Sequence, residues 1–157
     1  MLLDRTLLDR FDASLEALGA PILGAWAPGL SDAEIDALLV PLGIDLPAEA
    51  RVWWGWHNGT REDAPNLARS LGFRTPLSLK LAAECYAVDL EYQEEIFESK
   101  ALLAPINEMP NVYFACNDAD HGRVPIYTQN DVETPVKVLP SIRELVLTWL
   151  ALIDNNV

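Results

Sequence analysis

The sequence predicts an α+β fold: one domain in which N-terminal helices and a C-terminal helix pack on a small, mainly antiparallel sheet. Three observations carry this expectation. Apolar residues recur at three- and four-residue spacing through most of the chain up to Glu98. Two short runs rich in β-branched and aromatic residues follow, separated by a polar turn. A second helix-period pattern then closes the chain after a capping signal.

The first helix is read from Leu7, Leu8, Phe11, Leu15 and Leu18, with Gly19 and Pro21 closing it. Ser31 and Glu34 form a capping box, in which hydroxyl and carboxylate satisfy backbone donors that a first turn leaves open. Ile35, Leu38, Leu39 and Leu42 continue as an apolar stripe, and Gly43 supplies the stop. Pro47 suits the first turn of a third helix, which passes through Ala50, Trp53 and His57 to a left-handed cap at Asn58-Gly59. From Leu77 to Glu98 one long helix is expected, with Leu79, Ala83, Tyr86, Leu90, Gln93 and Phe97 on one side. Glu91, Glu94, Glu95 and Glu98 crowd its last turns, where the helix dipole disfavours negative charge, so early fraying or a cationic partner is expected there.

Asn111 to Asn117 and Val124 to Thr128 read as two antiparallel strands, with Pro125 restricting the second to an edge or a first-residue position. Thr134 to Val138 reads as a third strand. A second capping box, Ser141 to Glu144, opens a final helix that turns Ile142, Leu145, Val146, Trp149, Leu152 and Ile153 inward. The domain is expected to span residues 1–157, because no linker is long or polar enough to divide it.

The chain of 157 residues is long enough to bury about 70% of its unfolded surface without disulfide or metal. Eleven Lys and Arg face 24 Asp and Glu, a formal net charge of −13. Such a surface repels nucleic-acid and anionic lipid phosphates and attracts cationic partners; the plainer reading is that acidity serves solubility. The apolar start at Met1 to Leu3 is broken by Asp4 and Arg5, and no run of 18 apolar residues occurs. A cytoplasmic protein is expected. Cys85 and Cys116 read as core thiols.

No constellation specifies a reaction. The Asp118, Asp120, His121 turn fails the calcium-loop template, because Gln129 stands where a closing glutamate belongs. Two His and two Cys, widely separated, do not make a zinc site. His57 beside tryptophans is read as a helix-end cap or a packed, satisfied residue; as a general base it would need a nucleophile in reach. No cofactor, metal or catalytic residue is expected. The tryptophans Trp53, Trp54 and Trp56 are unusual: two share a helix face, while Trp54 points about 100° away and is the candidate exposed anchor.

The segment Ile44-Asp-Leu-Pro-Ala-Glu-Ala-Arg-Val-Trp-Trp-Gly-Trp-His-Asn-Gly59 resembles the entry motif of the SUKH superfamily, Smi/Knr type: a Leu-Pro start, an aromatic helix and a closing Asn-Gly. Trp26-Ala-Pro-Gly-Leu-Ser31 with Glu34 resembles the family's preceding capped helix, and Val112 to Asn117, Val124 to Tyr127 and the helix ending in Trp149-Leu150 resemble its central strands and C-terminal element. The likeness covers about Trp26 to Asp154. The stretch from Leu77 to Glu98 departs from the family's usual mixed segment. The resemblance implies a non-catalytic, protein-binding domain. Bacterial members are largely immunity proteins that neutralise toxins, many of them nucleases; fungal members act in cell-wall assembly and signalling.

The leading expectation is therefore an immunity protein, an antitoxin that blocks a basic, nuclease-type toxin by stoichiometric binding. Its candidate partner-binding residues are Trp54, Glu62 and Asp63 after the Asn-Gly pair, Asp118 and Asp120 in the turn, and Asp131 and Glu133 before the last strand. The alternatives are a housekeeping scaffold of the same fold in cell-wall assembly or signalling, and a small hydrolase built on His57 or the Asp118–His121 turn.

Overall fold

The computed structural model describes residues 1–61, 63, 75–107, 111–131 and 133–155. Helix α1, Arg5–Ala17, is capped by Asp4, whose carboxylate accepts the Leu7 N–H at 2.9 Å, and it buries Leu7, Leu8, Phe11 and Leu15. Helix α2, Asp32–Leu39, has both halves of its capping box: Glu34 N–H donates to Ser31 Oγ at 3.2 Å, and Ser31 N–H donates to Glu34 Oε1 at 3.1 Å. A tighter turn, Val40–Leu42, runs on to Gly43, which takes the left-handed conformation at φ 69°. Helix α3, Ala48–Trp56, starts after Pro47.

The chain leaves α3 differently from the expected cap. His57 is extended and begins strand β2, His57–Thr60, which pairs antiparallel with β1, Trp26–Pro28. The Asn-Gly pair serves the next helix instead. Asn58 Oδ1 accepts the Leu79 N–H at 2.9 Å, beside Ser78, whose hydroxyl accepts from Leu81 N–H at 3.2 Å. Gly59 lets that helix start approach: a Cβ there would lie 2.4 Å from the Leu77 carbonyl carbon.

The expected long helix is two. Helix α4, Leu79–Tyr92, ends at Gln93 (φ −137°, ψ 43°), and α5, Glu94–Lys100, begins at once. The break relieves half of the crowding, since Glu91 stays in the last turn of α4 and Glu98 in that of α5. Glu94 and Glu95 now occupy the first turn of a new helix, the end that favours negative charge, and Lys100 occupies its last turn.

Four antiparallel strands form one sheet in the order β3 (Leu102–Leu103), β4 (Asn111–Ala115), β5 (Ile126–Gln129), β6 (Val136–Leu139). Pro125 immediately precedes the inner strand β5. Phe114, on one face of β4, meets Trp53 and Trp54 of α3 edge-on, with ring centroids 5.8 and 5.5 Å apart. Tyr113, on the other face, meets Phe97 of α5 at 5.4 Å. Trp53 also lies 5.9 Å from Trp149 of the last helix, α6, Ile142–Asn155. Helix α3 thus sits between the sheet and the α1–α6 pair, with α5 on the far side of the sheet. Within α6, Leu150 is buried and Leu152 is exposed, the reverse of the periodic expectation for Leu152. Cys85 corrects another expectation: it lies exposed on α4, whereas Cys116 is buried.

Strand β6 forms one edge of the sheet, and its residues Val136, Lys137 and Val138 are exposed. Pro135 and Pro140 bracket it, and its pairing with β5 shifts register between Ile126 and Tyr127. Inside, the fully buried Glu49 accepts four backbone N–H groups: Val124 and Ile142 on Oε1 at 2.8 and 3.1 Å, Leu3 and Arg143 on Oε2 at 2.8 and 3.2 Å. One carboxylate therefore fills the N-terminus of α6 and ties it to the chain start and to the approach to β5.

Candidate protein-binding face

Of the acids singled out in the sequence, three sit on connections that the fold ties to β5 and α5. Asp118 ends a tight turn, Cys116–Asp118, and its Oδ2 accepts the Tyr127 hydroxyl at 3.0 Å. Burial first, and then that carboxylate, push the Tyr127 hydroxyl above its ordinary pKa. Asp131 (φ 49°) and Glu133 lie exposed in the β5–β6 connection, where Glu133 N–H donates to Asn130 O at 2.9 Å. The connection is clipped from below by the buried Gln129. Its amide nitrogen donates to Glu133 O at 2.9 Å and to Gln93 Oε1 at 2.8 Å, and its amide oxygen accepts the Tyr113 hydroxyl at 3.2 Å.

That clip brings in residues the sequence reading had not assigned to a site. Gln93 is the hinge between α4 and α5, so its bond to Gln129 ties the start of α5, which carries Glu94 and Glu95, to the Asp131–Glu133 loop. Asn117 Nδ2 donates to Glu98 O at 3.2 Å, which ties the far end of α5 to the Asp118 turn. Lys100 Nζ lies 5.9 Å from the Tyr127 ring centroid, a cation held at the inner side of this face. The signal for the α5 glutamates was in the sequence, as a conflict with the helix dipole. Their neighbours were not, because Gln93 and Gln129 are 36 positions apart.

The other candidates take no part in these ties. Asp120 is exposed in the same connection as Asp118, but it turns to His121, with Oδ1 to Nδ1 at 2.6 Å, and its backbone bridges to Arg123. Asp63 pairs with Arg61 at 3.3 Å at the end of the β1–β2 ribbon, a different part of the molecule. Glu62 lies outside the described residues. Trp54 is a correction. It is fully buried, not an exposed anchor, and its indole N–H donates to Leu77 O at 3.1 Å. A helix with one covered face would have left it out, but α3 has the sheet on one side and α1 and α6 on the other, so all three tryptophans are enclosed.

His57 is packed and satisfied. Its Nε2 lies 2.8 Å from Asp12 Oδ2, and the same carboxylate accepts the indole N–H groups of Trp26 at 3.1 Å and Trp56 at 3.0 Å. The imidazole stacks on Trp26 at 4.5 Å with 17° between planes. The nearby cavity is small, about 20 Å³, and is lined by Phe11, Leu15, Trp26, Trp53 and Trp149 among others, which offer it carbon surface. Among the described residues, no group of three or more His, Cys, Asp and Glu side chains is placed to hold a metal ion.

The arrangement on the α5 side can present a field of carboxylates on a rigid support. Among the described residues no helix is long and apolar enough to cross a membrane. Compared with protein-family models and with curated proteins, the chain finds no match.

Proposed function

We propose that this protein works by binding a cationic protein partner, as a non-catalytic, immunity-type inhibitor of a basic, nuclease-type toxin domain. The observation that carries the reading is the union of Asp118, Asp131 and Glu133 with Glu94, Glu95 and Glu98 through the Gln129–Gln93 and Asn117–Glu98 hydrogen bonds. Carboxylates fixed on one face steer a basic partner and set its orientation on arrival, whereas the same number spread over the surface would serve solubility alone. A toxin surface that holds nucleic acid is basic for the same reason that this face is suited to cover it. The likeness of the Ile44–Gly59 segment to SUKH immunity proteins points the same way.

The test uses a basic, nuclease-type toxin domain as partner. Association rates are measured at several salt concentrations for the native chain, for Asp118→Asn/Asp131→Asn/Glu133→Gln, and for Asp63→Asn as a control. The triple variant is expected to associate about tenfold more slowly at low salt, with a flatter salt dependence, and the control to match the native chain. Equal rates for all three would remove the steering face from the account.

A further inference from the structure

Helix α4 has two apolar faces where its packing uses one. The inward face, Leu79, Ala82, Ala83 and Tyr86, is buried. On the outward side, Leu81, Cys85, Val88 and Tyr92 follow at spacings of four, three and four, which aligns them along one stripe. All four are exposed, Leu81 by 39%, Val88 by 55% and Tyr92 by 80%. A solvated helix face has no use for a seam of this kind.

Acidic groups border the seam. Glu84 and Glu91 run along one flank, and the half-buried Asp89 lies on the other. Both flanks are felt at its middle: after burial, Asp89 and then Glu84 push the Cys85 thiol above its ordinary value. The Tyr92 end is the more negative. There the carbonyls of α4 end, Glu94 and Glu95 follow, and the Gln93–Gln129 bond leads to the Asp131–Glu133 loop. The opposite end carries Lys80.

Resting on the binding function proposed above, we propose that the Leu81–Cys85–Val88–Tyr92 seam docks a cationic amphipathic helix of the partner. The helix lies antiparallel to α4, with its N-terminal, Lys- or Arg-rich end at Tyr92. Charge selects this occupant. A second copy of the chain would lay Glu84 and Glu91 against their own kind on a molecule already at −13. A partner helix running the other way would set its negative dipole end against the C-terminus of α4. At Tyr92 an Arg or Lys can stack on the ring as well as meet Glu91 and Glu95. The seam then supplies the slow dissociation that steering by the neighbouring acids does not.

The test uses the full chain and three synthetic peptides: a helix with a Leu seam and Lys/Arg flanks, its scrambled isomer of equal charge, and the same seam flanked by Glu. Binding is read by fluorescence anisotropy at about 0.15 M salt, where long-range attraction is screened. The amphipathic cationic peptide is expected to bind at least tenfold more tightly than the other two. Leu81→Ser/Val88→Ser/Tyr92→Ser is expected to abolish that preference with its urea midpoint little changed, and a maleimide on Cys85 is expected to block it in the native chain. Equal binding of the cationic peptide and its scramble, an unaffected triple variant, or a native chain that dimerises through this seam would each overturn the proposal. Its failure is separable from that of the inhibitor reading. A toxin whose association responds to the Asp118, Asp131 and Glu133 changes, but whose dissociation ignores the seam variant, sinks only the seam. A chain that takes the peptide and no toxin sinks only the inhibitor.

Discussion

Taking a carboxylate out of water costs several kcal/mol unless its lone pairs are met, and Glu49 meets them with four main-chain donors drawn from Leu3, Val124, Ile142 and Arg143. The Glu49→Gln variant keeps the volume but sets an NH2 group against two of those donors, whichever way the amide turns. Its unfolding free energy is expected to fall by about 3 kcal/mol, read as a lower urea midpoint with unchanged slope. A midpoint within error of the native value would mean that the carboxylate is not the tie the distances indicate. A second expectation at this scale concerns alkali. Burial pushes the Cys116 thiol from its ordinary 9.0 up to about 12, and burial, then Asp89, push the Tyr113 hydroxyl from 10.0 up to about 12. The unfolded chain releases these protons at the ordinary values while the folded chain still holds them. Stability is therefore complete below about pH 9 and is lost as pH rises toward 12. Cys116→Ala/Tyr113→Phe should flatten that decline in urea titrations run across the window, and an equally steep decline would assign it to other groups.

At the scale of elements, the Gln129 side chain holds the β5–β6 connection to the α4–α5 hinge. Gln129→Leu leaves the Tyr113 hydroxyl and Glu133 carbonyl without their partner, and a loss of about 2 kcal/mol is expected. Faster amide exchange at Glu133 is the specific readout; unchanged exchange there would show the loop standing without its clip. Elements whose signals are local were legible in the sequence. Both hydrogen bonds of the Ser31–Glu34 box are present, Gly43 stops the following turn, and Ser141 Oγ accepts the Glu144 N–H at 3.1 Å. The β1–β2 ribbon was not legible: its strands hold three and four residues, and Pro28 and Gly59 within them read as turn signals. Nor was the division at Gln93, where neither Gly nor Pro marks a boundary and only the misplaced glutamates told of one. Of the candidate face, the exposure of Asp118, Asp131 and Glu133 could be read in advance, because connections expose what they carry. What joins them depends on long-range contacts, and Trp54 was misjudged because the number of sides covered around α3 is a tertiary fact.

For the molecule as a whole, a charge of −13 is self-repulsive, and Arg51 shows the local remedy. Its guanidinium reaches Asp36 at 2.7 Å, Asp45 at 3.1 Å and Asp32 at 3.2 Å, and donates to Leu46 O at 2.7 Å, knitting α2 to the start of α3. The hydrogen bond that it donates to Asp36 leads in raising its pKa. Such exposed aspartates contribute little individually, so screening the general repulsion outweighs screening these pairs. The melting temperature is expected to rise by several degrees between about 0.01 and about 1 M NaCl, as the Debye length shrinks from about 30 to about 3 Å. A fall would mean that attractive pairs dominate the surface.

The rim strand β6 has a further consequence. Prolines on either side, a lysine at its middle and a slip in its ladder deny an incoming chain the unbroken row of amides that polymerisation requires. Concentrated solutions should resist fibril growth from this border, because the outer row it presents is four residues long and ends at a proline on each side.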